Sequence, residues 1–488
     1  MKSTCFFHYF SVFVSLIVLP FSMMAQNERY GGAQNDVPTC MTLTPSGEII
    51  LAGYSKSFDD GSDQVFVLKL NPDNSINWQK SFGGKYGNRP FDMVLGERDE
   101  IIITGEAWTD DPTDWGREEL FTLKLDSAGN LINEKKYFQY HRDMGFRIKR
   151  LINGSYISIG FTKSSEEVYG EMMVTKLDPL LNILWQTIIG ENKSIDYGFE
   201  IFLNMDGFLA IGSQGGFFNS NQVDFLTPQS DILIAQLDFF GNLLWKKIYG
   251  GAGHDWVEKA VVINNEIYLV GSTQSIGEGS FDMLLLKMNM QGDSLWARSY
   301  GNEYYQQGRD ISYGNGQLFF GGITKKESSN YAAANYIIST DLDGNILWER
   351  VIESTGSDSF KRMEFNNQNN SLHCLSSSHS EATASDFWLY SLNKDGQFTG
   401  IRSLSRNSNT QVFPNPVEGN ARIEIQENNN SPALFQVYSI SGQLVFEEEL
   451  NSVNGSYSFS AYSLNSGFYT FKMILEDGNQ FSGKFIVR

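Results

Sequence analysis

Residues 237–251 read LDFFGNLLWKKIYGG, and the same design returns at 288–301 as MNMQGDSLWARSYG and at 340–353 as TDLDGNILWERVIE. Aligned on this stretch, seven copies appear, beginning at Leu70, Leu125, Leu177, Leu237, Met288, Thr340 and Leu392 at separations of 51 to 60 residues. Trp closes the motif in five of them, as Trp78, Trp185, Trp245, Trp296 and Trp348, while Asn133 and Gly400 stand there in the other two. A second landmark precedes each copy, an apolar run that ends in Gly: EIILAG, EIIITG, SYISIG, GFLAIG, EIYLVG and QLFFGG, with SLHCLS in the last repeat. Polar turns such as Ser46-Gly47, Asn153-Gly154, Asp206-Gly207 and Asn315-Gly316 lead into these runs. Asn, Asp and Gly tolerate the positive φ of tight hairpins, so each repeat holds four short strands, a to d.

Runs such as DILIAQL and FDMLLLKM are too continuously apolar for a sheet wet on one face. Four-stranded units of about fifty residues, repeated and covered on both faces, imply an all-β chain built as a seven-bladed β-propeller over residues 26–404. A β-helix is the alternative, but its repeats are shorter and need no hairpins. The segment Glu28-Arg29-Tyr30-Gly31-Gly32 matches the end of strand d elsewhere (KKIYGG, QKSFGG), whereas repeat 7 ends weakly in GQFTGIRSL. The N-terminal segment is therefore expected to lie beside repeat 7 and help close the ring.

Lys2, an apolar stretch from Phe10 to Phe21 and Ser22-Met23-Met24-Ala25 form a signal peptide over residues 1–25. The apolar run is short for a transmembrane segment, and no later run reaches eighteen residues. Cys5 lies inside this signal, and Cys40 and Cys374 are expected to be buried free thiols. A formal net charge of −20 without a basic cluster argues against nucleic acid as a partner.

After the polar residues 405–410 the texture changes. Short alternating strands crowd into residues 411–488, as in a small Ig-like β-sandwich. VFPNPVEGNARIEI, VYSISGQLV, LNSGFYTFKM and the terminal GKFIVR resemble the type A sorting domain of Bacteroidetes type IX secretion substrates. That resemblance implies export through the N-terminal signal and then outer-membrane passage by the type IX machinery, with residues 411–488 as the address. The repeats in turn resemble uncharacterised propellers of exported Bacteroidetes proteins.

Chemical signatures are sparse. Gly292-Asp293-Ser294-Leu295 spells an esterase block, but in repeat register it is a c–d turn, and no Asp-x-x-His block follows. HCLSSSH, His373 to His379, lacks further ligands at metal-site spacing. Asp341-x-Asp343-Gly344-Asn345 begins like a calcium loop without the distal Glu. The Gly-x-x-x-Trp spacing is similar to the tryptophan-docking motif of pyrroloquinoline-quinone propellers, whose vicinal Cys pair is absent here. No metal site and no cofactor is expected.

In an up-and-down blade the short a–b and c–d turns share one face, and the long b–c loops and d–a connections share the other. The long-loop face is the expected binding surface. Its candidates are Trp108, Trp115, Phe217, Phe218, His254, Asp255, Trp256, Tyr304 and Tyr305, aromatic and polar groups fit to stack on a sugar or anchor a protein. The recurring acids Asp36, Asp143, Asp196, Asp255 and Asp358 are expected to cap the entry to strand a. The expected function is non-catalytic binding of a glycan or a surface protein. A polysaccharide lyase or glycosidase with carboxylates in the central pocket is the competing class, and a structural surface protein the third. Removing residues 26–32 should sharply lower the melting temperature, and an unchanged value would exclude a closing role for this segment.

Overall fold

The computed structural model describes residues 28–488 apart from 59–61, 84–86, 110–116, 140, 165–168, 191–193, 216–217, 220–221, 224–229, 279, 326–332, 354–356, 381–382, 400–410, 425–431, 440–443, 454–455 and 476–479. The expected signal peptide, the linker, Trp115 and Phe217 lie outside the described residues, as does the side chain of Phe218. The described residues are nearly all β, and their one helical element is the 3-10 turn Glu97–Asp99. Contacts divide the chain into two compact units, one around Tyr30–Trp388 and the other around the C-terminal residues.

The first unit is propeller-like. Successive repeats form antiparallel sheets in the order a-b-c-d, as in Asp36–Leu43, Ile49–Ser55, Gln64–Leu70 and Ile76–Phe82. Repeats 2 and 3 run on as one larger sheet through a single parallel bridge, Arg142 to Glu118. The a strands are Asp36–Leu43, Asn88–Leu95, Arg142–Arg150, Asp196–Leu203, Asp255–Ile263, Tyr305–Gly314 and Ser357–Asn366. Each packs on the next, and the last packs back on the first. Strands b and c are buried on both faces, every residue of Gln64–Leu70 included, so the core is a series of apolar layers between sheets.

Repeat 7 takes its fourth strand from the other end of the chain. Its sheet runs Glu28–Tyr30, Thr383–Asn393, Ser371–Ser380, Ser357–Asn366.

The opening motif forms the joint between neighbours. Its fifth residue has positive φ in every copy: Asn74 65°, Gly129 76°, Leu181 64°, Gly241 88°, Gly292 73°, Gly344 79° and Gly396 75°. The first residue after strand c sets the turn. Asp126, Asp178, Asp238 and Asp341 each accept two backbone N–H bonds through Oδ1 and an Asn amide through Oδ2. The turn then docks on strand d of the preceding repeat. A Cβ at Gly129, Gly241, Gly292 or Gly396 would lie 2.7–2.9 Å from Trp78, Trp185, Trp245 or Trp348. The indoles are half-buried, with one face on the neighbouring turn.

Where Trp is missing, the partner changes with it. Asn133 replaces Trp in repeat 2, and the Gly of repeat 3 becomes Leu181, whose side chain is fully buried beside Tyr137. A second contact holds the same turn carbonyl. Tyr137, Tyr249 and Tyr300 donate through Oη to the carbonyls of Leu181, Gly292 and Gly344 at 2.6–2.7 Å, and Thr187 donates to that of Gly241 at 2.6 Å. Tyr30 does the same to Asn74 at 2.9 Å, so the N-terminal strand makes the repeat 7 to repeat 1 joint as the others are made.

The second unit has two antiparallel sheets. One orders Gln411–Phe413, Asn420–Glu424, Ser456–Ser460 and Ser452–Val453; the other orders Leu444–Leu450, Ala433–Ser439, Gly467–Leu475 and Gln480–Val487. Ile423, Phe435, Tyr457, Phe471 and Phe485 fill its core.

Half-burial lowers the cost of losing Trp245 below the roughly 3–5 kcal/mol of a fully buried indole, to about 2 kcal/mol. Gly241→Ala adds a Cβ both at positive φ and against Trp185, and should cost about 2–4 kcal/mol in urea unfolding. A double-mutant cycle with Trp185→Ala should recover 1 kcal/mol or more of that, roughly. Strict additivity would mean that the two do not form the joint.

Candidate functional site

In six repeats a Gly inside strand b, at the end of its apolar run, faces the bulge of strand a, and Ser376 stands there in repeat 7. Gly53, Gly105, Gly160, Gly212, Gly271 and Gly322 lie so close to strand a that a Cβ would stand 1.7–2.1 Å from the carbonyl of Val37, Arg89, Met144, Tyr197, Trp256 or Gln307. The pairing register slips immediately beyond, skipping Thr39, Phe91, Phe146, Phe199, Glu258, Arg309 and, in repeat 7, Lys361. A β-bulge re-aims the side chains at its site. Here it recurs in every innermost strand, so two consecutive residues per repeat meet at the middle of the first unit.

Apart from Thr39 of repeat 1, the skipped residues fall into two arcs. Repeats 2, 3 and 4 give Phe91, Phe146 and Phe199, with ring centroids 5.4 Å and 5.7 Å apart along the arc, and Tyr197 lies 5.9 Å from Phe199 and 6.0 Å from Phe146. Repeats 5, 6 and 7 give Glu258, Arg309 and Lys361. Arg309 Nη1 lies 3.6 Å from Glu258 Oε1, and its Nη2 donates to Gln307 Oε1 at 2.8 Å.

The residues after the bulges are Cys40, Asp92, Arg147, Glu200, Lys259, Asp310 and Arg362. From Asp92 to Arg362 the charges alternate in sign, and Cys40 stands between the two ends. A charge of either sign at Cys40 would face a like charge on one side. Burial, with Asp92 nearby, pushes its thiol up to about 12 and keeps it neutral. Asp92 Oδ2 accepts the N–H of Ile148 at 3.0 Å, and Asp310 Oδ2 that of Met363 at 2.8 Å, each in the following repeat. Arg147 Nη2 donates to the carbonyl of Glu258 at 2.9 Å and Arg362 Nη2 to that of Phe91 at 3.1 Å, bonds that span non-neighbouring repeats. Lys149 Nζ pairs with Glu200 Oε1 at 2.6 Å. Despite its burial, Glu200 is held below the usual carboxylate range by Lys149, Lys259 and Arg147. Burial pushes the Glu364 carboxyl up to about 8, Lys259 opposing and Asp310 assisting.

On the expected long-loop face the outcome is mixed. Asp255 and Trp256 are only 4% and 3% exposed, which corrects their expected place as free binding groups. Asp255 Oδ2 accepts Gly251 N at 2.9 Å and Ser275 Oγ at 2.5 Å, capping the entry to strand a, and Trp256 packs edge-on to Phe281 at 4.9 Å. Asp36 and Asp143 likewise accept from the residue four positions earlier, and Gln306 makes the same contact in repeat 6. His254, half-buried, places Nδ1 3.1 Å from both N and Oγ of Ser230. Tyr304 is half-buried. Tyr305, also half-buried, lies under Lys325 Nζ at 4.9 Å, 5.5 Å from Phe281, and donates to Gln307 Oε1 at 3.3 Å. Gln307 thus links Tyr305 to Arg309. Trp108 covers the Arg89 guanidinium at 4.5 Å, which itself pairs with Asp63 at 2.5 Å.

Gly292 and Asp293 lie in the c–d turn of repeat 5, Ser294 and Leu295 open its strand d, and Asp341 to Asn345 form the turn of repeat 6. His373 is buried in strand b, which pushes its imidazole down to about 4. Cys40 and Cys374 are buried thiols outside any disulfide. Among the described residues no group of three His, Cys, Asp or Glu is arranged to hold a metal ion, and no helix is long and apolar enough to cross a membrane. The central residues were missed because no motif surrounds them. A signal was present: each residue that the register skips lies three positions after the polar residue that begins its strand a or stands next to its start, Asp36, Asn88, Asp143, Asp196, Asp255, Gln306 or Asp358.

Residues 411–488 match the secretion system C-terminal sorting domain. This domain marks a type IX secretion substrate, delivered outside the cell or to its outer surface. No curated protein matches the chain. Among solved structures, a protein from Lactobacillus plantarum is similar at 10% identity and a TM-score of 0.43, covering 84% of this chain and 99% of that one. Puromycin hydrolase is similar at 10% identity and 0.48, covering 90% and 59%. The acylaminoacyl peptidase of Pyrococcus horikoshii is similar at 10% and 0.41, covering 82% and 59%. The chain spans 59% of the length of these two enzymes.

Burial, with Arg309 and Arg362 nearby, pushes the Lys361 ammonium down to about 7 against the pull of Glu258. Between pH 10 and 7 the unfolded chain takes up a proton that the folded chain refuses, so the native state loses stability over that window. Lys361→Met should melt progressively above the wild type as pH falls from 10 to 7, by about 2–4 °C in all, with no further change below 7. A constant difference from pH 10 to 6 would show that Lys361 titrates normally.

Proposed function

We propose that this type IX secretion substrate is a non-catalytic binding module for a glycan or a surface protein at the cell exterior. In this reading residues 1–25 are the signal peptide, 26–404 a seven-bladed propeller, 405–410 a linker and 411–488 an Ig-like sorting sandwich. The observation that carries the binding role is the pairing of Phe91, Phe146 and Phe199 with Glu258, Arg309 and Lys361 on the innermost strands. Core packing alone does not call for ionic groups at this depth, because desolvating them costs free energy. Aromatic faces with a few placed polar groups are the chemistry of sites that orient one ligand. Tyr305, Tyr304, His254 and Trp108 serve in this reading as rim groups, with Tyr305 joined to the centre through Gln307. Asp255 and Trp256 anchor the connection beneath them.

Glycan-array binding by the mature chain, without release of new reducing ends, is the expected result. Phe146→Ala and the milder Phe146→Leu should weaken binding about tenfold and about threefold, at unchanged stoichiometry. Reducing-end formation from a polysaccharide would overturn the non-catalytic reading in favour of a lyase or glycosidase.

A further inference from the structure

The ionic arc is unbalanced in a direction that names a ligand. Arg309, Lys361 and Arg362 stand together, and their acidic company is Glu258, Asp310 and, beside Arg362, Asp92, whose Oδ2 accepts the N–H of Ile148. Asp310 is committed to the backbone, accepting the N–H groups of Ile311 at 2.9 Å and Met363 at 2.8 Å. Glu258 reaches Arg309 only at 3.6 Å, and its Oε1 accepts no hydrogen bond. Arg362 is spent on two carbonyls, those of Lys361 and Phe91. The Lys361 ammonium makes no hydrogen bond or ion pair among the described residues. Three cations packed together repel one another, and a site that keeps them so is completed by an anion. Arg309 is the directional partner, held by Gln307, with fork geometry suited to a carboxylate, and Lys361 is the mobile one.

From the other repeats come three Phe rings and Tyr197, surfaces on which the C–H face of a pyranose stacks. The net charge of −20 repels a long polyanion at distance, so attraction is confined to the site itself. We propose that the central site binds a terminal uronic acid, its carboxylate on Arg309 and Lys361 and its ring against Phe91, Phe146 and Phe199. This deepens the reading of the chain as a binding module and rests on it. A proton accompanies the ligand, because Lys361 is charged only in part near neutral pH, facing Arg309, Arg362 and Glu258. Binding therefore tightens as pH falls.

The test is calorimetry on the mature full chain, sorting domain included, with a disaccharide ending in glucuronic acid and the same disaccharide ending in glucose. The acidic sugar should bind about tenfold or more tightly, as charge-assisted bonds do relative to neutral ones. Lys361→Met should bring the two within about twofold by weakening only the acidic one, and Lys361→Arg should keep the preference. Between pH 6.5 and 8.5 the acidic sugar should lose about tenfold in affinity in the wild type and little in Lys361→Arg. Equal binding of both sugars, unmoved by Lys361→Met, overturns the uronic acid and leaves the binding module standing. Binding of neither sugar, with capture of a peptide through its C-terminal carboxylate, overturns the sugar and favours a protein ligand. Binding of no probe counts against the module itself.

Discussion

Each repeat of the first unit docks a turn on the one before it, and that turn requires a residue at positive φ. The requirement explains both the recurring Gly and the recurring Trp. Without a Cβ the turn comes flat against the indole of the preceding strand d, and its carbonyl is left facing a Tyr or Thr hydroxyl. Leu181 shows that the joint is a volume shared by two repeats. Once Asn133 leaves the indole's place empty, a side chain at the turn fills it, at the cost of a left-handed backbone on a non-Gly residue. Tyr30 shows that the joint can be completed by a strand from the far end of the sequence.

A second constraint lies at the centre. The innermost strands come close enough that side chains of successive repeats share one environment, and ionised groups there survive only if each finds a counter-charge or a backbone dipole. Alternation from Asp92 to Arg362 supplies the first. The bonds from Asp92 and Asp310 to backbone N–H groups, and from Arg147 and Arg362 to carbonyls, supply the second. Cys40 is the one member that carries no charge. The ring of ionic groups stitches one repeat to the next, and it leaves Lys361, which lies just outside the alternation, without an ion partner.

The two ends of the chain divide the work. Residues 411–488 carry an address that reads directly as sequence, because a sorting domain is recognised as a module whatever its cargo. The chemistry of the repeats is spread over strands that no local motif connects. Loop aromatics drew attention on the sequence because loops display function in many folds. Trp256 instead packs on Phe281 beneath the connection, and the mixed aromatic and ionic surface lies on the strands.

The repeat, its four strands, the turn chemistry, the N-terminal strand as a closing element and the C-terminal address were all legible in the sequence. Each depends on local patterning: period-two burial, Asx turns, and Gly or Asn where φ is positive. Which side chains converge was not legible, because that depends on the bulge in every strand a. Gly53 and its equivalents were visible as the ends of apolar runs. Only the packed sheet shows that in six repeats their missing Cβ lets a carbonyl approach, and that a one-residue slip in all seven, repeat 7 with Ser376 included, brings Phe91, Phe146, Phe199, Glu258, Arg309 and Lys361 toward a common centre. A one-residue slip is invisible to periodicity, yet it decides which side chains share a site.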